Sequence, residues 1–193
     1  PYAEAKLKAH EEFVVNYRKK HGLFICSGIL FNHESPKRGE HFVTRKISIS
    51  LAKVKLGLQG RLELGNLDSK RDWGFAGDYV EAMWLMLQQP KAEDLVIATG
   101  VAHSVREFIE AAAAALGINL TWRGRGPKET GTDDGGRVIV SVNPKFYRPT
   151  DPRHLVGDSR KAQRLLGWKP KIGFRELVKM MVEADYTSFK NGR

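Results

Sequence analysis

Helix-type segments alternate with short apolar runs along this 193-residue chain, and the alternation restricts the folds open to it. Nearly continuous apolar runs at 23–31 and 94–99 predict buried strands, because a strand covered on both faces needs no polar side. Between these runs the apolar residues recur at helical spacing. Such an order is typical of an α/β protein with a largely parallel sheet.

The other predicted elements follow from the same periodicities and from the Gly, Pro and Ser residues at segment ends. Helices are predicted over 3–20, 42–57, 77–88, 104–116, 159–166 and 174–190. Further strands are predicted over 61–64, 118–122 and 138–142, and polar loops over 32–39, 68–74 and 124–136. Several large side chains at helical spacing are expected in the core rather than on a surface that stacks nucleic-acid bases: Trp73, Trp84, Trp168, Met83, Met86, Met180 and Met181.

Charge and cysteine content restrict the functional classes. The net charge of +10 is spread among acidic residues, so it suits a diphosphate-binding enzyme as well as a nucleic-acid partner. Cys26 is the only cysteine, which leaves no internal disulfide and fits a reducing cytoplasm. No apolar run approaches the roughly 20 residues of a membrane helix, and no membrane partner is expected.

A dinucleotide-binding glycine motif is missing from the sequence. The nearest candidate begins at Gly124 and Gly126 but has Glu129 where the third glycine should fall. The chain also starts at Pro1 without an initiator Met. We therefore expect it to be a fragment of a longer protein whose phosphate-binding half lies upstream.

Tyr2 and Lys6 are four residues apart on the first predicted helix, so their side chains share one face. A free tyrosine has a pKa of about 10 and is a poor base at neutral pH. A nearby ammonium group favours the phenolate form. The pair could therefore act as a base, although an ordinary surface Tyr and Lys would show the same spacing.

Downstream blocks favour the catalytic interpretation. They are Asn32-His33-Glu34-Ser35-Pro36, Phe42-Val43-Thr44-Arg45-Lys46, Arg71-Asp72-Trp73-Gly74, Phe146-Tyr147-Arg148-Pro149 and Leu166-Gly167-Trp168-Lys169-Pro170. In register with Tyr2-x-x-x-Lys6, they resemble the GDP-mannose 4,6-dehydratase family of extended short-chain dehydrogenase/reductases over essentially the whole chain.

The resemblance implies the carboxyl-terminal portion of a doubly wound, Rossmann-like NADP-binding fold with a smaller mixed α/β substrate-binding lobe. Residues 1–35 would be the last part of the dinucleotide-binding domain. Residues 36–193 would form mainly the GDP-sugar lobe, with short returns to the main sheet near 94–100.

The reaction implied by the resemblance is a dehydration of GDP-mannose. Tyr2 would take the proton of the mannose 4-hydroxyl as hydride passes to NADP⁺. Water would then leave from carbon 6 and the hydride would return there. A Thr and a Glu that complete the acid–base set in the family are expected upstream of Pro1, so the chain alone is expected to be inactive.

The resemblance also assigns binding roles. NADP would contact Tyr2, Lys6, His33 and Arg38, since an arginine binds phosphate oxygens bidentately. GDP-mannose would contact Asn32, Val43, Lys46, Arg71, Arg148 and Asp151. Asp151 replaces the usual Glu of the family and would select guanine through its ring N–H and amino group. No metal ligand set is expected.

Two alternatives remain at this stage. A related GDP-sugar reductase or epimerase would share the Tyr–Lys pair and the GDP pocket. A basic nucleic-acid-binding module would instead explain the charge. The resemblance favours a homodimer or homotetramer with neither a nucleic-acid nor a membrane partner, and the single cysteine favours a cytoplasmic location.

Overall fold

Helices and short strands alternate in the computed structural model, which describes residues 1–146 and 154–192. The helices are α1 (Tyr2–Ala9), α2 (Tyr17–His21), α3 (Val43–Lys55), α4 (Ala76–Leu87), α5 (Val105–Ala115), α6 (Arg160–Leu166) and α7 (Phe174–Lys190). The strands are β1 (Gly28–Leu30), β2 (Asn32–Glu34), β3 (Leu62–Leu64), β4 (Lys70–Phe75), β5 (Leu95–Ile97), β6 (Ala102–Ser104), β7 (Thr121–Arg123), β8 (Thr130–Thr132), β9 (Val138–Val142) and β10 (His154–Leu155).

The described strands form three small sheets. The first is the parallel pair β1 and β5, and the second has β4 at its centre, parallel to β2 and β10 and antiparallel to β6. The third runs β3-β9-β8-β7 and mixes both directions. The α/β prediction is therefore confirmed, although the strands are divided among sheets rather than gathered in one.

Two apolar clusters hold the helices against these sheets. The larger one joins α3, α5 and α7 to β3 and β9, and its fully buried side chains include Leu51, Phe108 and Met181. The smaller one joins α4, α6 and β5 around Tyr79 and Trp168. Burying a Leu, Phe or Met side chain stabilises the folded state by about 1.5–3 kcal/mol. The packing of their apolar faces is therefore the main source of stability for these helices.

The core prediction for the large side chains is only partly right. Trp73, Trp168, Met86 and Met181 are buried, and Met180 is half-buried. Trp84 is 60% exposed and Met83 is 39% exposed, because α4 turns the opposite face toward the sheets. Helical spacing identifies a shared face but does not say which face is covered.

The first helical segment lies on the outside of the structure. A π-helical stretch, His10–Asn16, joins α1 to α2, and the three together have no buried residue. Arg18 fixes the far end: its guanidinium donates to both carboxylate oxygens of Asp94 at 2.9 and 2.7 Å. Gly22, at φ 61°, ends the segment in the left-handed conformation that glycine adopts without strain.

Four loop or strand predictions are wrong in their details. The apolar run at 23–31 is a strand only from Gly28, and the predicted turn that follows contains β2. The predicted loop at 68–74 is mostly β4, and the Gly-rich loop at 124–136 contains β8. Because β2 and β4 are rich in polar residues, no apolar pattern identifies them as strands. The fold tolerates these polar side chains because tertiary partners satisfy them.

Asp72 shows how β4 accommodates its polar residues. Its side chain is 1% exposed and accepts hydrogen bonds from Thr99 N and Oγ1 at 2.9 and 2.5 Å. It also accepts from Gly100 N at 2.9 Å and Gly157 N at 3.2 Å. One buried carboxylate therefore joins β4 to the turn after β5 and to the segment before α6.

Across the described ranges, no helix combines the length and apolar character needed to cross a membrane.

Candidate functional site

The predicted catalytic pair lies on the open surface of α1. Tyr2 is 77% exposed, and the Lys6 ammonium lies 5.7 Å from the centroid of its ring. This places the two side chains on one face, as the four-residue spacing predicts. The helix that carries them is attached farther along the chain, where His10 Nδ1 and Ser27 Oγ share a 2.9 Å hydrogen bond.

Asn32 and His33 stand on β2, whose backbone pairs in parallel with Trp73 and Gly74 of β4. His33 Nδ1 lies 2.9 Å from the backbone oxygen of Phe31. Since a carbonyl oxygen only accepts, Nδ1 carries the hydrogen and Nε2 is the acceptor in the neutral ring. The strand therefore fixes the position of both side chains and the tautomer of His33.

Glu34, the last residue of β2, joins this strand to the turn and helix that follow. Its carboxylate is 1% exposed, accepts from Thr44 Oγ1 at 2.5 Å, and lies 3.2 Å from Nε of Arg38. The Arg38 guanidinium stacks on Phe42, with Cζ 3.5 Å from the ring centroid. Burial raises the pKa of Glu34, while the Thr44 hydrogen bond and the Arg38 charge oppose that rise.

Val43 and Lys46 occupy the first turn of α3. Phe42 precedes the helix without a side-chain cap, and the first turn has no acidic residue, so its backbone N–H groups present a positive end. Lys46 Nζ lies 4.0 Å from the Phe146 ring centroid. Burial lowers the pKa of Lys46, and the carboxylate of Glu63 partly opposes this shift.

The segment that carries Phe146 is held against β3. Asn143 N donates to the backbone oxygen of Leu64 at 2.7 Å, and its side-chain amide donates to Glu63 Oε2 at 3.1 Å. The Phe146 backbone N–H then donates to the backbone oxygen of Asn143 at 3.0 Å. A turn at the end of β9 therefore brings the aromatic ring over Lys46, which lies a hundred positions earlier.

Of the three remaining predicted substrate ligands, the structure describes only Arg71. Arg71 lies on β4, opposite Leu155 of β10 and His103 of β6, and donates from Nη1 to the Lys70 backbone oxygen at 2.6 Å. Arg148 and Asp151 lie outside the described residues. Their predicted contacts with the diphosphate and with guanine stay predictions.

Apart from Arg71, the predicted site residues that the structure describes fall into two groups. One comprises Asn32, His33, Arg38, Val43 and Lys46 on β2, the turn after it and α3. The other is the Tyr2–Lys6 pair, and among the described residues no hydrogen bond, ion pair or ring contact links it to the first group.

The sequence-based prediction missed three residues of this region. They are Glu34, Thr44 and Phe146, which contact Arg38 or Lys46 or fix their surroundings. All three stand inside the blocks that carry the resemblance. A carboxylate three residues after the predicted buried strand at 23–31 was a signal for Glu34, since buried charges need partners.

The chemistry of this group suits phosphate. The Arg38 guanidinium contacts Glu34 through Nε and is 20% exposed, so its terminal amino groups can donate to a phosphate. With Lys46 and the uncapped helix end, it offers donors of the kind that hold a dinucleotide or a nucleoside diphosphate. Within residues 1–146 and 154–192, no cluster of three or more His, Cys, Asp or Glu side chains could hold a metal ion.

Comparison with known families gives a match over most of the chain. The profile of the family described as GDP-mannose 4,6 dehydratase matches residues 1–181. A relative named GDP-mannose 4,6 dehydratase from Drosophila melanogaster is 55% identical over 186 residues, covering 96% of this chain and 47% of the relative. The chain spans about half the length of the curated relatives it matches.

Solved structures show the same fold. RMD from Pseudomonas aeruginosa, a complex with NADPH, matches with a TM-score of 0.81 and 23% identity over 97% of this chain and 56% of its own. The dTDP-glucose 4,6-dehydratase from Bacillus anthracis, a complex with NAD, matches with a TM-score of 0.74 and 18% identity over 99% and 52%. The chain therefore has the same fold as the matching parts of these two structures.

Proposed function

The chain belongs to the GDP-mannose 4,6 dehydratase family, and we propose that the complete protein dehydrates GDP-mannose to GDP-4-dehydro-6-deoxy-mannose. The observation that supports this most is the family match over residues 1–181, which includes every described residue of the candidate site. It favours a dehydratase over a related reductase or epimerase. The product would enter the synthesis of GDP-deoxysugars such as GDP-fucose.

Each residue of the candidate site receives a chemical role in this proposal. The Tyr2 phenol oxygen takes the proton of the substrate 4-hydroxyl, and Lys6, on the same helix face, favours the anionic phenol. Asn32 and Arg71 hold the sugar diphosphate, with Val43 and Lys46 at the positive end of α3. Arg148 and Asp151 would complete the diphosphate and guanine contacts.

NADP is the proposed cofactor, and it would supply a hydride acceptor that returns the hydride within one turnover. The donors and acceptors on this chain suit it: Lys6 for the ribose hydroxyls, His33 Nε2 as an acceptor, and Arg38 for a phosphate. NADPH is the bound cofactor of the RMD neighbour, which supports this choice.

The direct experiment is conversion of GDP-mannose by the complete protein with NADP⁺. We expect a 4-keto GDP-sugar to form without net accumulation of NADPH, because the hydride taken from carbon 4 returns to carbon 6. Product is followed by mass spectrometry, as a loss of one water, and NADPH by absorbance. Stoichiometric NADPH without loss of water would contradict a dehydratase and support simple oxidation.

The 193-residue chain by itself is expected to give no 4-keto product. It contains no Gly-x-x-Gly-x-x-Gly motif to hold the cofactor pyrophosphate, so the Tyr2–Lys6 pair would have no hydride acceptor beside it. The same assay on this polypeptide and on the complete protein tests this expectation. Turnover by the short chain would show that the missing motif is not required.

Replacing Lys46 by methionine in the complete protein is expected to raise the KM for GDP-mannose about tenfold, as loss of one charge-assisted contact implies. Methionine keeps an unbranched side chain but removes the ammonium that lies over the Phe146 ring. Steady-state kinetics at saturating NADP⁺ measure the change.

Lys53→Met is the matched control for that substitution. Lys53 lies on the same helix and holds its ammonium 4.8 Å from the ring centroid of Phe189, so it reproduces the lysine–aromatic contact away from the predicted substrate residues. Its KM is expected to stay within about twofold of wild type, since exposed cation–aromatic contacts are weak. Equal effects of the two substitutions would contradict a substrate contact at Lys46.

Assembly and location extend this proposal. A homodimer or homotetramer agrees with the exposed first helical segment (residues 2–21), which presents Leu7, Phe13 and Tyr17 on its surface. A cytoplasmic location stays a prediction from the single cysteine.

A further inference from the structure

We propose that Glu34 is a positioning residue that sets the affinity for the nicotinamide cofactor by fixing Arg38 and the first turn of α3. This inference rests on the proposed function, in which Arg38 binds a cofactor phosphate. Glu34 itself is buried and points away from solvent, so it acts through the residues it holds rather than by touching a ligand.

The contacts of Glu34 connect three parts of the site. Its backbone ends β2, directly after Asn32 and His33. Its carboxylate accepts from Thr44 Oγ1 at 2.5 Å, which places the first turn of α3. The same oxygen lies 3.2 Å from Arg38 Nε, in the turn between strand and helix. One carboxylate therefore relates the strand, the turn and the helix to each other.

Arg38 depends strongly on this carboxylate for its direction. Within the described residues its guanidinium has two close partners, Glu34 on one side and the Phe42 ring on the other. An aromatic face attracts the cation but leaves it able to slide and rotate in its plane. The fixed charge of Glu34 removes that freedom, so removing it should leave Arg38 stacked but misdirected.

Asp185, on α7, provides a matched comparison because it also contacts α3. It is 3% exposed, accepts from Ser48 Oγ of α3 at 2.6 Å, and forms an ion pair with Arg45. Glu34 and Asp185 are thus both buried carboxylates bound to a hydroxyl of α3 and to an arginine. Only the arginine of Glu34 is a predicted cofactor ligand.

The test compares Glu34→Gln with Asp185→Asn in the complete protein. Each substitution removes one buried negative charge and keeps the side-chain shape. Glu34→Gln is expected to raise the Kd for NADPH about tenfold, which corresponds to about 1.4 kcal/mol, and to change kcat at saturating cofactor by less than about threefold. Asp185→Asn is expected to lower the unfolding temperature but to leave that Kd within about twofold, since it only supports packing.

A second pair of variants covers the case in which Glu34→Gln does not fold. Thr44→Val removes the hydroxyl and keeps the volume, and is expected to raise the Kd for NADPH about threefold, as loss of one hydrogen bond implies. Thr44→Ser retains the hydroxyl and should bind NADPH with the wild-type Kd. An equal loss in both Thr44 variants would overturn the inference, because it would point to packing of the methyl group.

Failure of the inference and failure of the proposed function give different results. If the wild-type protein binds NADPH and Glu34→Gln binds it equally well, Glu34 is not a positioning residue. The same conclusion follows if Asp185→Asn weakens binding as much as Glu34→Gln does. If the wild-type protein binds NADPH but does not dehydrate GDP-mannose, the proposed function fails while the comparison of Kd values still decides the role of Glu34.

Discussion

Replacing Tyr2 by phenylalanine in the complete protein is expected to lower kcat for GDP-mannose dehydration by about 10²–10⁴-fold, the usual contribution of a general acid–base group. Phenylalanine keeps the ring beside Lys6 but has no oxygen to receive the proton of the 4-hydroxyl. The KM for GDP-mannose should change little, because substrate binding is assigned to β2, β4 and α3. Steady-state kinetics with NADP⁺ measure both quantities.

Tyr17→Phe is the control for this substitution. Tyr17 belongs to the same exposed helical segment, and its ring meets Phe13 and His21 edge-on. Removing its hydroxyl leaves these ring contacts in place, so kcat should stay within about twofold of wild type. If Tyr2→Phe retained more than about a tenth of the wild-type kcat, the assignment of Tyr2 as the base would be wrong.

Replacing Asp72 by asparagine is expected to lower the free energy of unfolding by about 2–4 kcal/mol. The two carboxylate oxygens each accept two hydrogen bonds, from Thr99 and from Gly100 and Gly157. An amide group has only one acceptor oxygen, so in either orientation its NH₂ faces at least one buried backbone N–H. Urea denaturation of the complete protein, followed by fluorescence, measures the loss, with the buried neighbour Trp73 among the reporters.

Asp158→Asn provides the comparison for a carboxylate on the surface. Asp158 is exposed and pairs only two residues away with Arg160, so water can replace its partner. Its urea midpoint should match that of wild type. If the urea midpoint of Asp72→Asn also matched that of wild type, this carboxylate would not stabilise the junction of β4 with the turn after β5.

The helices of this chain could be predicted from local sequence because their signals are local. Ser104 and Glu107 form a capping box, with hydrogen bonds of 3.1 and 2.5 Å, and the helix that follows runs as the apolar spacing predicts. The last helix, α7, begins and ends at the predicted residues 174 and 190. In both cases the information lies within a few turns of one segment.

The strands that carry much of the candidate site could not be found in the same way. Asn32, His33 and Glu34 form β2, and Lys70, Arg71 and Asp72 begin β4, although these polar triplets are typical of loops. They become strands because the first triplet pairs with residues 73–75 of β4 and the second pairs with β6. Partners from distant segments also satisfy Glu34 and Asp72. Single-sequence patterns contain no information about those partners.

The sequence by itself determined the α/β class, the positions of the helices, the family resemblance and the spacing that puts Tyr2 and Lys6 on one face. Only the tertiary structure decided which polar residues are buried and what they hold. It brought Phe146 to Lys46 and directed Arg38 through Glu34. The physical reason is that helix periodicity and caps act over a few residues, whereas a buried charge is tolerated only where the folded chain supplies its partners.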